Sequence, residues 1–201
     1  MDSSYSPDNY NQFILLQYSY IHTSEGKDEV LHILNISKLY INNFQTRILI
    51  ILNMLLKSAF IIDAIRSPIG KYGGSLSLIR PDDLISNLLK SILIRNPKIN
   101  KNAIEDVIIG CTNQAGEDSR NIARNSLLLA GFPVSTGGVT VNRLCSSGLQ
   151  SIMDGSRAIQ CNEGDIYIAG GVESMSRSPY VMNKSETAFG RSTVMYDSTI
   201  G

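Results

Sequence analysis

From residue 59 to residue 170 the chain alternates strand-length apolar runs with helical periodicities. That alternation restricts it to an α/β fold built on a parallel sheet. Ala59 to Ile65 is an apolar run of strand length. Pro81 stands where a first helical residue tolerates proline. Asp82 and Asp83 follow it, at the end of a helix that favours acids. Leu84, Ile85, Leu88, Leu89, Ile92 and Leu93 recur at helical spacing and give one apolar face, which Asn96-Pro97 closes. Asp106 to Cys111 reads as a second strand, and Asn121 to Ala130 as a second helix stopped by Gly131 and Pro133. Gly138 to Asn142 reads as a third, β-branched strand and Ser147 to Gln160 as a third helix, ending near Asn162 to Gly164. Asp165 to Gly170 is then a fourth strand. A β-α-β-α-β-α-β order predicts a mostly parallel sheet covered by helices. Active sites in such sheets lie at the carboxyl ends of the strands.

Cys145 falls at such an end, between the third strand and the opening turn of the third helix. Unpaired N–H groups and the positive end of the helix dipole favour an anion there, which raises the thiolate fraction. The thiolate is the nucleophilic form. Ser146, Ser147 and Gly148 are small enough to let an acyl group approach the backbone. An arbitrary cysteine is more often a buried core residue. Strand, cysteine and small-residue helix start together favour a nucleophile. Cys111, at a strand end, and Cys161, at a helix end, read as structural, packed thiols. Cys145 and Cys161 lie at opposite ends of one helix, too far apart to bridge, and the three cysteines have no metal-ligand spacing. Free thiols fit a reducing, cytoplasmic compartment.

The run Val141-Asn142-Arg143-Leu144-Cys145-Ser146-Ser147-Gly148-Leu149 resembles the nucleophile motif of the thiolases, the acyl-CoA C-acyltransferases. Two collinear segments agree. Asp63-Ala64-Ile65-Arg66-Ser67-Pro68-Ile69-Gly70 resembles the family's first strand and loop. Ala169-Gly170-Gly171-Val172-Glu173-Ser174-Met175-Ser176 resembles the strand end and turn leading to its substrate loops. The resemblance runs from about Leu55 to Gly201 and implies the N-terminal half of a thiolase-like α/β fold. The domain reading is an unmatched extension over 1–53, a thiolase N-terminal domain over 54–175, and over 176–201 the start of a truncated substrate-loop region. Asn113-Gln114-Ala115-Gly116-Glu117-Asp118-Ser119-Arg120-Asn121-Ile122-Ala123-Arg124, Phe189-Gly190-Arg191 and Tyr196 to Gly201 are most similar to the 3-oxoadipyl-CoA branch.

The resemblance implies reversible cleavage of a 3-oxoacyl-CoA by free coenzyme A, a co-substrate, with no bound cofactor and no metal. Cys145 would carry the acyl group as a thioester. Its backbone N–H would be one donor of an oxyanion hole, of the kind whose removal costs about 3–4 kcal/mol. The family also uses a His in Gly-His-Pro, a second Cys in Cys-x-Gly and an Asn in Asn-Glu-Ala. None of those motifs occurs in this sequence, whose only histidines, His22 and His32, lie in the extension. The isolated chain is therefore expected to be inactive. The alternatives are an acetyl-CoA acetyltransferase or 3-ketoacyl-CoA thiolase, a ketoacyl synthase, and a non-catalytic remnant that binds a full-length subunit. Asn142-Arg143-Leu144 and Glu173-Ser174-Met175-Ser176 favour thiolase over synthase. The family resemblance also implies a homo-oligomer, dimer or tetramer, with the loop around Glu117 near the interface.

Other features read as bland. Gly70-Lys71-Tyr72-Gly73-Gly74 lacks the spacing of a phosphate loop and reads as a surface loop. Glu117 and Asp118 read as a solvated or helix-capping pair, not an acid/base dyad. A formal net charge of zero with scattered charges gives no footprint for nucleic acid or an anionic membrane surface. The apolar run from Ile48 to Leu56 is far shorter than the ~20 residues a membrane helix needs. Residues 1–53, rich in Asn, Ile, Tyr and Ser with Gly26 as their one glycine, fit neither a secretory signal nor a transit peptide. They are expected to be a non-native extension, an artefact of the gene model. A real, partly helical appendage is the alternative.

Overall fold

The computed structural model describes the backbone of residues 11–16 and the full structure of residues 57–190 and 194–199. The run from Ile48 to Leu56, His22, His32, Arg191 and Gly201 lie outside the described residues. Among the described residues seven strands and three α-helices follow one another: β1 Asn11–Leu16, β2 Ala59–Ile65, α1 Pro81–Arg95, β3 Asp106–Gly110, α2 Ile122–Leu129, β4 Gly137–Val141, α3 Ser147–Gln160, β5 Ile166–Gly171, β6 Tyr180–Met182 and β7 Met195–Asp197. Short 3-10 turns at Lys101–Ala103, Gly116–Asp118 and Met175–Arg177 punctuate the loops.

Five strands form one sheet in the order β2-β1-β5-β3-β4, with every described pairing parallel. β6 and β7 form a separate antiparallel pair. The strand β1 was not anticipated. It lies in the stretch read as an extension, yet its backbone pairs on one side with β2 and on the other with β5.

The helix ends follow from their capping residues. Pro81 opens α1 at a position that needs no N–H, and Asp82 and Asp83 occupy its first turn. The Asn121 side chain accepts the Arg124 N–H (3.1 Å) and caps α2. Gly131 stops that helix in the left-handed region (φ +79°), where glycine has no Cβ penalty. Two reversed bonds close the end, Phe132 N–H to the Leu127 carbonyl (3.1 Å) and Gly131 N–H to the Leu128 carbonyl (3.0 Å).

Alternation along the strands assigns each residue to one face of the sheet. Val107, Ile109 and Cys111 point with Ile168 toward α1 and α2, meeting Ile85, Leu89, Ile92, Ile122 and Leu127 in the main core. Each large aliphatic buried there contributes about 1.5–3 kcal/mol. Ile108, Tyr167 and Ala169 point the other way, toward α3, in a smaller cluster with Ile159. α3 offers that face mostly small residues: Ser147, Ser151, Gly155 and Ile159 are its buried positions.

Candidate active site

Glycines set the position of the Cys145 turn. A Cβ added at Gly110, the last residue of β3, would lie 2.2 Å from the Ser147 carbonyl carbon and 2.4 Å from the Gly148 nitrogen. The first turn of α3 therefore rests on the bare β3 backbone. Gly148 packs against Gly171 at the end of β5, where an added Cβ would lie 3.2 Å from the Gly148 Cα. One turn further on, the Ser151 hydroxyl lies 2.7 Å from the Gly170 carbonyl and 2.6 Å from that of Gly148. These contacts hold the start of α3 at the carboxyl ends of β3 and β5, as the sheet order predicts.

The turn itself is strained. Leu144, immediately before Cys145, has φ +53°, a conformation that a branched, bulky side chain rarely adopts and that costs about 1–2 kcal/mol. Hydrogen bonds to both of its backbone polar groups offset this cost. Its N–H donates to Asn142 Oδ1 (3.0 Å). Its carbonyl accepts from Ser147 N–H (3.0 Å), Ser147 Oγ (2.6 Å) and Thr112 Oγ1 (2.9 Å). Ser147 Oγ also accepts the Arg143 N–H (2.7 Å), so one buried hydroxyl ties both sides of the turn to the helix start. Cys145 is exposed beside this clamp.

A second layer of bonds supports the turn. Asn142 Nδ2 donates to the Thr112 carbonyl (3.0 Å). The Glu173 carboxylate, just beyond β5, accepts the N–H groups of Thr112 (2.8 Å) and Asn113 (3.0 Å). Thr112 was not singled out from the sequence, and Glu173 stood there only within a family motif, with no role of its own. An acid at the carboxyl end of a strand was the available signal, but its partners lie about sixty positions away.

Two sequence readings need correction. Cys161 is the C-cap of α3 and exposed, not packed, because its backbone closes the helix while its side chain leaves the core. Cys111 is buried as expected, and burial, reinforced by the Glu173 and Asp118 charges, pushes its thiol strongly up. Glu117 and Asp118 are neither solvated nor a cap. Glu117 is paired bidentately with Arg177 and lies 3.7 Å from Arg80, which itself grips Asp82 (2.6 and 2.9 Å). Asp118 is buried and its Oδ1 has no partner. Burial, then the neighbouring Glu117 charge, raises its carboxyl from 3.8 to about 7. An open cleft of about 550 Å³ adjoins this cluster, lined in part by Gly73, Glu117, Ser176 and Arg177; Cys145 is not among its lining residues.

Among the described residues no group of three or more His, Cys, Asp or Glu could hold a metal ion. Among them, too, no helix is long and apolar enough to cross a membrane.

Comparison with known proteins agrees with this architecture. The chain is 56% identical over 146 residues to the 3-oxoadipyl-CoA/3-oxo-5,6-dehydrosuberyl-CoA thiolase of Escherichia coli, a match covering 73% of this chain and 36% of the relative. It is 56% identical over 145 residues to the beta-ketoadipyl-CoA thiolase of Pseudomonas aeruginosa, covering 72% and 36%. The crystal structure of the Bacillus anthracis acetyl-CoA acetyltransferase matches with a TM-score of 0.60 and 35% identity, over 65% of this chain and 33% of that one. The chain thus spans about a third of the length of the curated relatives it matches. The α/β fold is thiolase-like, and the family model for the thiolase N-terminal domain matches residues 59–200. With that match over most of the chain and the relatives at 56% identity, the chain belongs to the thiolase family.

Proposed function

We propose that this chain is part of an acyl-CoA C-acyltransferase that cleaves a 3-oxoacyl-CoA with coenzyme A, through a thioester on Cys145. The observation that carries this reading is the clamped Leu144-Cys145 turn, which presents an exposed thiol at the start of α3. In the cleavage direction the Cys145 thiolate attacks the 3-keto carbon. The bond between carbons 2 and 3 then breaks, and its electron pair leaves with acetyl-CoA as an enolate, which is protonated at carbon 2. The thiolate of coenzyme A attacks the enzyme thioester, forms the shortened acyl-CoA and returns Cys145 to its thiolate. The Cys145 N–H would face the developing oxyanion. No bound cofactor or metal takes part.

The substrate we propose is 3-oxoadipyl-CoA. The names of the relatives at 56% identity support it, together with the similarity of the run from Asn113 to Arg124 to that branch. A 3-ketoacyl-CoA thiolase of Aeromonas hydrophila, 51% identical over 125 residues, keeps the broader specificity as the runner-up. The whole protein would be a cytoplasmic homo-oligomer, dimer or tetramer, and exposed thiols at Cys145 and Cys161 suit a reducing compartment. This chain alone would not turn over, because no Gly-His-Pro, Cys-x-Gly or Asn-Glu-Ala motif is present to supply the base, the second thiol and the water-holding amide. A remnant that binds a full-length subunit is the reading to beat.

The test supplies the C-terminal half of a full-length relative in trans and follows loss of 3-oxoadipyl-CoA absorbance on adding coenzyme A. Turnover with the wild-type chain and none with Cys145→Ser is the expected result. Equal turnover in both chains would remove Cys145 as nucleophile, and turnover by the wild-type chain alone would refute the incompleteness.

A further inference from the structure

We infer that Thr112, held in place by Glu173, is a positioning residue for Cys145. This deepens the proposed function and rests on Cys145 being the nucleophile. Three strand ends meet at this point. Leu144 on the β4 side has a left-handed φ of +53°, and its carbonyl is bonded by Ser147 from the helix start and by the Thr112 hydroxyl (2.9 Å) from the β3 side, which ties the turn to a neighbouring strand. A return bond from Asn142 Nδ2 to the Thr112 carbonyl (3.0 Å) makes the link reciprocal. Thr112 is itself fixed from the β5 side, where the Glu173 carboxylate takes the N–H groups of residues 112 and 113 at 2.8 and 3.0 Å. Bonds to a carboxylate are about twice as strong as neutral ones, so Glu173 is the firm anchor and the hydroxyl the transmitting contact. Without the hydroxyl, the Leu144 peptide can relax toward ordinary φ. The Cys145 thiol then swings away from the start of α3.

The three cysteines of the chain make the test internal. Exposed Cys161 is a reference thiol at the far end of α3, and buried Cys111 reports unfolding. The ratio of Cys145 to Cys161 alkylation by iodoacetamide at neutral pH is read by mass spectrometry in the chain as it stands. Thr112→Val keeps the shape of threonine without the hydroxyl and should lower the ratio about three- to tenfold, the scale of one lost hydrogen bond. Thr112→Ser, which keeps the hydroxyl, should restore it. Glu173→Gln should lower it with Thr112 intact. Protection of Cys111 certifies folding in each variant; if the valine variant loses it, Thr112→Ala takes its place. An unchanged ratio in valine or alanine with Cys111 protected overturns the inference, as does a serine variant that falls as far as valine. Turnover does not enter this readout. A failed clamp with Cys145-dependent thiolysis intact therefore rejects only the inference, and the reverse rejects only the proposed nucleophile.

Discussion

Gly110→Ala should displace the Cys145 turn through a single methyl group. The backbone at Gly110 is ordinary strand, so alanine fits its conformation and the cost comes entirely from contact. That Cβ would sit 2.2 Å from the Ser147 carbonyl carbon and 2.5 Å from its oxygen. Carbon atoms settle at about 3.5–4.0 Å, so the first turn of α3 must retreat by more than about 1 Å. Nothing in the contact is a flexible side-chain end; the atoms it meets are all backbone. Overpacking of this kind costs about 1–3 kcal/mol, which lowers the unfolding temperature by about 2–10 °C in a domain of this size. A misplacement of about 1 Å at reacting atoms can also cost roughly a hundredfold in rate. Thermal unfolding by circular dichroism measures the first effect, and trans-complemented thiolysis measures the second. Gly73→Ala is the control: nothing lies within 4 Å of its added Cβ, and its cost is the left-handed φ of +65° alone. If Gly110→Ala melts with the wild type, or loses stability while thiolysis is unchanged, then the close approach of α3 to β3 does not set the site.

Asp118→Asn should flatten the stability profile above pH 4. The wild-type carboxyl is neutral in both states at low pH, ionises in the unfolded chain near 3.8, and stays protonated in the fold to about 7. Stability is therefore lost as pH rises through that window, by at most roughly 4 kcal/mol, and urea midpoints from pH 4 to 8 that coincide for the two chains would refute the burial argument. Leu144→Gly should be close to neutral in unfolding temperature because relief of the +53° strain offsets the added freedom of the unfolded chain. Leu144→Val, β-branched at the same φ, should cost about 1–2 kcal/mol, and a valine variant as stable as wild type would show that the turn is not strained.

The sequence made the regular elements legible because their signals are local. The range read for α3 coincides with the observed Ser147–Gln160, and α1 begins at Pro81 as read. The second strand ends one residue before the range read for it, and the third and fourth are displaced by one residue at both ends, back to Gly137 and on to Gly171, where a glycine can pair or not without presenting a side chain to bury. What stayed hidden depends on distance along the chain. β1 pairs with β2 and β5, and nothing in Asn11–Leu16 names those partners. Glu117 looked solvated because Arg177, its counter-ion, is sixty positions away. The cysteine motif pointed to Cys145 but not to its support, since the Thr112 hydroxyl and the Glu173 carboxylate bond backbone groups far away in the chain, which leave no side-chain pattern in the sequence.

The two faces of β3 divide the work of the fold, and neighbouring residues can separate them. Ile109 points into the main core with Ile85, Leu89 and Leu127, whereas Gly110, the next residue, points at α3. On the α3 side small residues replace large ones: Ser147, Ser151 and Gly155 face the sheet, and Leu149 is left 43% exposed. A helix that buries large aliphatics gains area; one that buries serine and glycine gains proximity instead. α3 thus contributes little hydrophobic grip and much positional constraint, which suits an element whose first turn must hold a thiol. Ile109→Ala should then cost about 2–5 kcal/mol of stability through the cavity it leaves, and the Cys145 to Cys161 labelling ratio should not move while Cys111 stays protected. Gly110→Ala should show the opposite balance, with a smaller loss of stability and a clear fall in the ratio. Should both variants move the ratio in proportion to the stability they lose, the two faces are not separable and Cys145 merely reports global unfolding.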